Sequence, residues 1–213
     1  PNLLGMDSTG LVMACDFASG STTNLATGNQ LTLVGNPSFS NGMVYVDSGN
    51  YFVSEQKQNK LDTTLIFIGK TSSNGLNSLC VTNYDRALLR GDSIVKNGAY
   101  LNNGEQWFTG TAAVGNVPND KNFVAIASVL GSQFTVKILY DGIIYESTGT
   151  TTRPVYFSDV PYSVGWTSKA EGYAGHGVFA RNALVYNIGK TASEIDSMIE
   201  VLKNNLNNKG FSI

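Results

Sequence analysis

Glu194, Asp196 and Glu200 stand in the segment EIDSMIE. On a β-strand, acids at i and i+2 share a face, and such a pair can flank a glycosidic bond as acid and nucleophile. The spacing carries that meaning only if the segment is extended. In a helix, at about 100° per residue, Asp196 and Glu200 fall within roughly 40° of each other while Glu194 points away. Ile195, Met198, Ile199, Leu202 and Leu206 recur at i, i+3, i+4, i+7 and i+11, the stripe of a helix packed on one side. Thr191 followed by Glu194 forms a capping box, Asp196 adds negative charge to the first turn, Lys203 and Lys209 lie toward the end, and Gly210 supplies a stop. These signals predict a helix over residues 192–208, on which the three acids do not converge. Glu194 and Asp196 form the only i, i+2 carboxylate pair in the chain. A strand-borne acid/base set is therefore not expected, although two distant acids could still meet in space.

The remaining chemically capable residues are sparse. His176, in YAGHGV, is the only histidine, and no nucleophile or orienting acid is identifiable for it. Arg90 to Ser93 spells RGDS, a short match of common residues. Asp47, Asp85, Asp120 and Asp159 lie near turns and could serve a calcium ion, but they form no dense oxygen-ligand run, so no metal and no cofactor is expected and calcium stays the alternative. Cys15 and Cys80 sit in apolar or β-like runs with no C-x-x-C spacing and are read as free buried thiols. Aromatic residues in polar, loop-like surroundings are the informative ones for a sugar, because a flat ring meets the apolar side of a pyranose while amides and acids bond its hydroxyls. Tyr100 and Trp107 in NGAYLNNGEQWF, with Trp166 and Tyr173 in GWTSKAEGY, fit that description. Packing in a core or an interface is the competing role for each.

At 213 residues and 42% apolar content the chain can bury one sizeable core, and a single domain over 1–213 is expected, with 1–9 as a linker. Charged residues make up only 14%, below the roughly 25% of an average soluble protein, and Asn, Ser, Thr and 23 Gly supply the remaining polarity. A net charge of −2 without any Lys/Arg cluster argues against nucleic acid as a partner. No apolar run is long enough for a membrane helix, so no membrane insertion is expected.

Short apolar runs with polar punctuation fill most of the chain: GLVMACDF, LTLV, MVYV, TTLIFIG, SLCVT, VYF, YSVGW and GVFARNALVY. Residues 84–122 lack long periodicity and read as loops and short edge strands. NFVAIASVL has the continuous apolar character of a strand covered on both faces. It leads through Gly131-Ser132 into QFTVKILY and, through Asp141-Gly142, into IIYES, a three-stranded meander. Many short strands and one terminal helix predict an all-β, two-sheet antiparallel sandwich.

FVAIASVL, FTVKILYDGIIYES, YSVGW and GHGVFARNALVYNIGKTASEIDSMIEVL together resemble the second half of concanavalin A-like, laminin-G-like jelly rolls. Asn182-Ala183-Leu184 matches the penultimate strand of that family and Thr191 to Ile195 its helix start; GLVMACDF and the stretch to MVYVDSGNYFV agree more loosely. The resemblance implies a jelly roll of the kind found at the ends of phage tail fibres and tailspikes, which attach to host surface glycans. Residues Tyr100, Trp107, Trp166 and Tyr173 would then contact a cell-surface polysaccharide, on a virion surface or outside a cell, in a homotrimeric fibre. Retaining glucanases of the same superfamily carry E-x-D-x-E or E-x-D-x-x-E on a strand, a pattern from which Glu194 to Glu200 departs. Three readings stay open on sequence alone: a non-catalytic glycan-binding module, a polysaccharide-degrading enzyme, and a structural or oligomerisation domain.

Overall fold

The computed structural model describes residues 3–72, 77–83, 88–92, 94–101, 106–115, 117–150, 159–166 and 177–213, with the backbone alone in 77–79, 88–92, 94–101 and 106–115. In chain order the strands begin with β1 (Leu11–Asp16), β2 (Thr32–Val34), β3 (Ser38–Ser40), β4 (Met43–Val46) and β5 (Tyr51–Val53). Longer ones follow: β6 (Thr63–Thr71), β7 (Asn77–Thr82), β8 (Leu88–Asp92), β9 (Ile94–Leu101) and β10 (Gln106–Gly115). The series closes with β11 (Asn122–Leu130), β12 (Gln133–Tyr140), β13 (Ile143–Thr150), β14 (Ser163–Val164) and β15 (Val178–Tyr186), then helix α1 (Ala192–Asn208).

Two antiparallel sheets form a jelly-roll sandwich. The larger runs β13-β12-β11-β6-β15-β4-β3, with β1 also paired to β15; the smaller runs β10-β9-β8-β7-β14-β5-β2. β15 divides its free edge between two partners, Val178–Ala180 against β4 and Asn182–Tyr186 against β1, with a bulge between Ala180 and Asn182 on the β6 side.

The apolar runs of β6, β11 and β15 are continuous because both faces of these strands are covered. Alternate residues such as Leu65, Phe67, Phe123, Ala125 and Val185 enter the inter-sheet core. Their neighbours Ile66, Ile68, Val124, Ile126 and Leu184 face outward and meet Ile195, Ile199, Leu202 and Leu206 of α1. Fully burying an aliphatic side chain is worth about 1.5–3 kcal/mol, so this one stripe is enough to hold the helix on the sheet. The helix spans residues 192–208, as its periodicity and caps predict, and Gly210 (φ 77°) ends it.

One expectation is corrected. Residues 84–122 are not mainly loops: β8, β9 and β10 lie there and build one side of the smaller sheet. LLRGD, IVKNGAYL and QWFTGTAAVG lack strict alternation, and backbone ladders tolerate the Gly and Asn that blur the pattern. Within residues 3–9, Leu4 and Met6 are buried in the outer cluster with α1, and Tyr186 Oη donates to the Asp7 carbonyl at 2.9 Å. VYF lies outside the described residues.

Candidate functional site

The acids of EIDSMIE have structural employment. Glu194 closes the capping box: its backbone N–H donates to Thr191 Oγ1 at 3.2 Å and its Oε2 accepts from Thr191 N at 2.8 Å. The Thr191 backbone N–H, then the Thr191 side chain, hold its carboxyl below the usual range. Asp196 accepts from Lys137 Nζ at 2.7 Å, and the same ammonium meets Glu146 at 2.6 Å. Lys137 stands on the outer face of β12, opposite Ile126, and is only 2% exposed, because α1 covers that face. Glu200 is exposed on the helix. Helical geometry thus disperses the trio and leaves it no common cleft.

A more suggestive surface lies at one lateral margin of the sandwich, where β10, the last strand of the smaller sheet, runs close to β12 and β13 of the larger. The β12–β13 hairpin is set by Asp141 (φ 51°) and Gly142 (φ 74°), the left-handed pair that a two-residue primed turn requires. That turn fixes Tyr140 opposite Ile143 and Ile138 opposite Tyr145, making Tyr140 and Tyr145 diagonal neighbours on one face. Their rings stack with centroids 4.9 Å apart at an interplanar angle of 15°. Tyr145 is 36% exposed and Ile143 53% exposed beside it. Burial first, then a hydrogen bond and the charge of Tyr145 and Asp141, push the Tyr140 phenol up to about 12, so it remains a neutral donor at physiological pH.

Around the same hairpin turn lies a polar cleft of about 370 Å3 lined by Lys70, Asp120, Lys121, Asn122, Asp141 and the C-terminal tail. Lys121 Nζ reaches Asp141 at 2.9 Å, and Asn122 Nδ2 donates to the Ser212 carbonyl at 2.9 Å. A flat phenol ring and a cleft of ammonium, carboxylate and amide groups are the two kinds of contact a sugar takes; here the tyrosines lie on the core-facing side of the sheet and Lys70 and Asn122 on its helix side, with the Asp141 turn between them.

Tyr100 and Trp107 lie on β9 and β10, the strands that end the smaller sheet on this side. They are not loop residues but register partners across the β9–β10 ladder, which brings the two positions opposite each other. Trp166 does not join them: at 6% exposed it is buried, following the short strand β14. Its polar sequence neighbours had pointed to solvent. Tyr173 and His176 lie outside the described residues, as do Asp85 and Ser93. Arg90, Gly91 and Asp92 are held in β8 between β7 and β9, not at a loop tip. Asp47 Oδ1 accepts from Gly49 N and Asn50 Nδ2, ordering its turn, and Asp159 is exposed. Among the described residues no group of three or more His, Cys, Asp or Glu gathers as metal ligands would. Cys15 and Cys80 are free and buried.

The tyrosine stack was hidden in the sequence as ordinary strand residues. Its signal is a tyrosine on each side of a D-G turn, Tyr140 and Tyr145, at the spacing that makes them diagonal partners.

A second ordered polar cluster surrounds Glu55, whose Oε1 accepts from Thr27 Oγ1 at 2.5 Å, Asn29 Nδ2 at 3.1 Å, Gln56 Nε2 at 3.2 Å and Asn24 Nδ2 at 3.3 Å. Partial burial alone would raise its pKa, but these donors outweigh it and hold the carboxyl at about 2. Asn24 is fully buried and also accepts from Ala14 N at 2.9 Å, so the cluster fastens the loop after β1.

Neither a protein-family profile nor any curated protein sequence matches the chain. Solved structures do match in fold. The binding domain of botulinum neurotoxin DC in complex with SialylT superposes with a TM-score of 0.61 at 10% identity, over 91% of this chain and 51% of that one. A mutant Trypanosoma rangeli sialidase displaying trans-sialidase activity gives 0.56 at 14% identity, over 97% and 34%. The exoplasmic/lumenal domain of VIP36, in a Ca2+/Man3GlcNAc-bound form, gives 0.51 at 10% identity, over 81% and 90%. The chain spans about half the length of the toxin binding domains it matches. At such identities the shared property is architecture: this chain has the jelly-roll sandwich found in toxin binding domains, in part of a sialidase and in the VIP36 domain.

Proposed function

We propose that this chain is a non-catalytic carbohydrate-binding module that engages a cell-surface glycan through the β10–β12–β13 margin. The observation that carries the reading is the Tyr140–Tyr145 stack, whose Tyr145 ring is 36% exposed, on a hairpin whose turn also borders a polar cleft. Support comes from the dispersal on α1 of Glu194 and Asp196, the i, i+2 carboxylate pair of the sequence, and from fold neighbours described in complex with SialylT and with Man3GlcNAc. The likeness of residues 123–213 to tail-fibre jelly rolls supports a finer version, in which the module recognises a host from a virion surface as part of a homotrimeric fibre.

A microarray of bacterial and animal surface glycans tests the core of the proposal. At least one glycan is expected to bind, and Tyr145→Ala to weaken it about tenfold, or about 1.4 kcal/mol, the scale of one lost ring contact. Trp107→Ala tests the neighbouring strand in the same way. No binding by wild type to any glycan, or full retention in both variants, refutes the site. Incubation of bound polysaccharide with the protein is expected to release no new reducing ends, and release abolished by Glu194→Gln would restore the hydrolase reading. Solution mass tests the trimer.

A further inference from the structure

A second cleft, of about 720 Å3, opens between the segment before β6 and the turn after β15. It stands at the other end of the larger sheet: Asp62 precedes β6, whereas Lys70 of the first cleft lies near the end of that strand, about 25 Å along it. The two are separate surfaces.

The lining is part aliphatic and part polar. It combines Leu61, 40% exposed, Leu130 and Ile188 with the polar Asn59, Lys60, Asp62 and Asn187. The frame is pinned to strands. Thr64 Oγ1 donates to the Ile188 carbonyl at 2.8 Å, Lys190 N to Ser128 Oγ at 2.7 Å, and Gly131 N to Asp62 Oδ1 at 2.8 Å. Asn187 Nδ2 donates to Asn59 Oδ1 at 3.3 Å, tying the two walls together. Gly189 lies so close to β11 that any Cβ there would strike the Val129 carbonyl, which keeps the turn flat against the sheet. A site held this way loses little ordering entropy when it binds.

The charges decide what it would take. Lys60 forms no ion pair among the described residues, and Asp62 commits one oxygen to Gly131. One ammonium and one carboxylate in an otherwise neutral lining give no preference for an anion or a cation. Donors and acceptors over an exposed aliphatic patch suit a ligand that is apolar on one face and hydroxylated at its edge. We propose that this cleft is a second glycan subsite that accepts a neutral hexopyranose, its C–H face on Leu61 and Ile188 and its hydroxyls on Asp62, Lys60 and Asn59. The inference rests on the carbohydrate-binding reading and extends it to a site without aromatic residues, distant from the tyrosine margin.

Amide spectra of the 15N-labelled protein, titrated separately with millimolar glucose, galactose, mannose and N-acetylglucosamine, read the two surfaces independently. At least one sugar is expected to shift amides in residues 59–62 and 187–189 saturably, and to do so equally in Tyr145→Ala. Leu61→Ala and Asn187→Ala should each weaken that response about tenfold, the effect of losing one well-placed contact. The amide spectrum itself reports whether a variant is folded, and Lys60→Ala, at an exposed position, substitutes for any that is not. Shifts at residues 143–146 with a silent or unsaturable response at the cleft overturn the second subsite and leave the module intact. Silence at both, together with an empty glycan array, removes the second subsite and the carbohydrate reading alike.

Discussion

Lys137 provides the sharpest test of why the C-terminal acids are where they are. Its ammonium, 2% exposed, is bonded to Asp196 on α1 and Glu146 on β13, both more than half exposed. Asp196→Asn leaves the buried cation with one carboxylate and a weaker amide acceptor. A charge-assisted hydrogen bond is worth about 1.5–3 kcal/mol; solvent around Asp196 and the surviving amide contact reduce the loss to about 1–1.5 kcal/mol. For a domain of this length that is a fall of about 3–5 °C in Tm. Lys137→Met should behave differently, because it removes the buried charge, keeps an unbranched chain beside Ile126, and frees two exposed carboxylates to water. Its expected effect is within about 0.5 kcal/mol of wild type. Thermal and urea unfolding followed by circular dichroism measures both. If Lys137→Met is the more damaging of the two, or Asp196→Asn unfolds like wild type, then the cost of Asp196→Asn does not come from a buried cation left short of a carboxylate partner. The pH dependence has a defined sign. Burial lowers the Lys137 pKa, but the bonds to Asp196 and Glu146 reverse this and raise it above its ordinary value. Its contribution is therefore complete below about pH 10.5 and is lost as pH rises through the folded value, a loss that Lys137→Met abolishes.

Two further outcomes follow from buried or organised groups. Glu55, held at about 2, stabilises the fold fully above its unfolded value of 4.5 and loses that contribution as pH falls from there toward 2. Glu55→Gln should cost on the order of 1 kcal/mol at neutral pH, discounted for solvent, and flatten stability across that acid window in urea titrations. Burial raises both the Cys15 and Cys80 thiols, so Ellman's reagent should modify neither in the native protein and both on unfolding; rapid native labelling would contradict their placement in the core.

What the sequence disclosed tracks how local each determinant is. Helix α1 was legible to the residue because its cap, its stripe and its stop all lie within its own span. The β11–β12–β13 meander was legible because its turns name themselves. Lys137 was not: in QFTVKILY it alternates like a solvent-facing residue, and nothing near it tells which sheet face the distant helix covers. Trp166 misled in the opposite sense, its polar neighbours concealing a ring that tertiary packing shields. Tyr100 and Trp107 were chosen as loop aromatics; their opposition across a ladder depends on the pairing of β9 with β10, which the Gly- and Asn-rich pattern does not announce. Both clefts are assembled from chain segments far apart in sequence, so no short motif could reveal them.

The early strap at Leu3 and the tail at Phe211 and Ile213 pack on one outer layer, with α1. A tag spliced beyond Leu3 or Ile213 would leave from the layer that holds α1, so the smaller sheet is the broad face turned away from such a tag. For sensor work this means that biotin on either end seats the molecule helix-down, leaving the opposite flank open to the bulk phase.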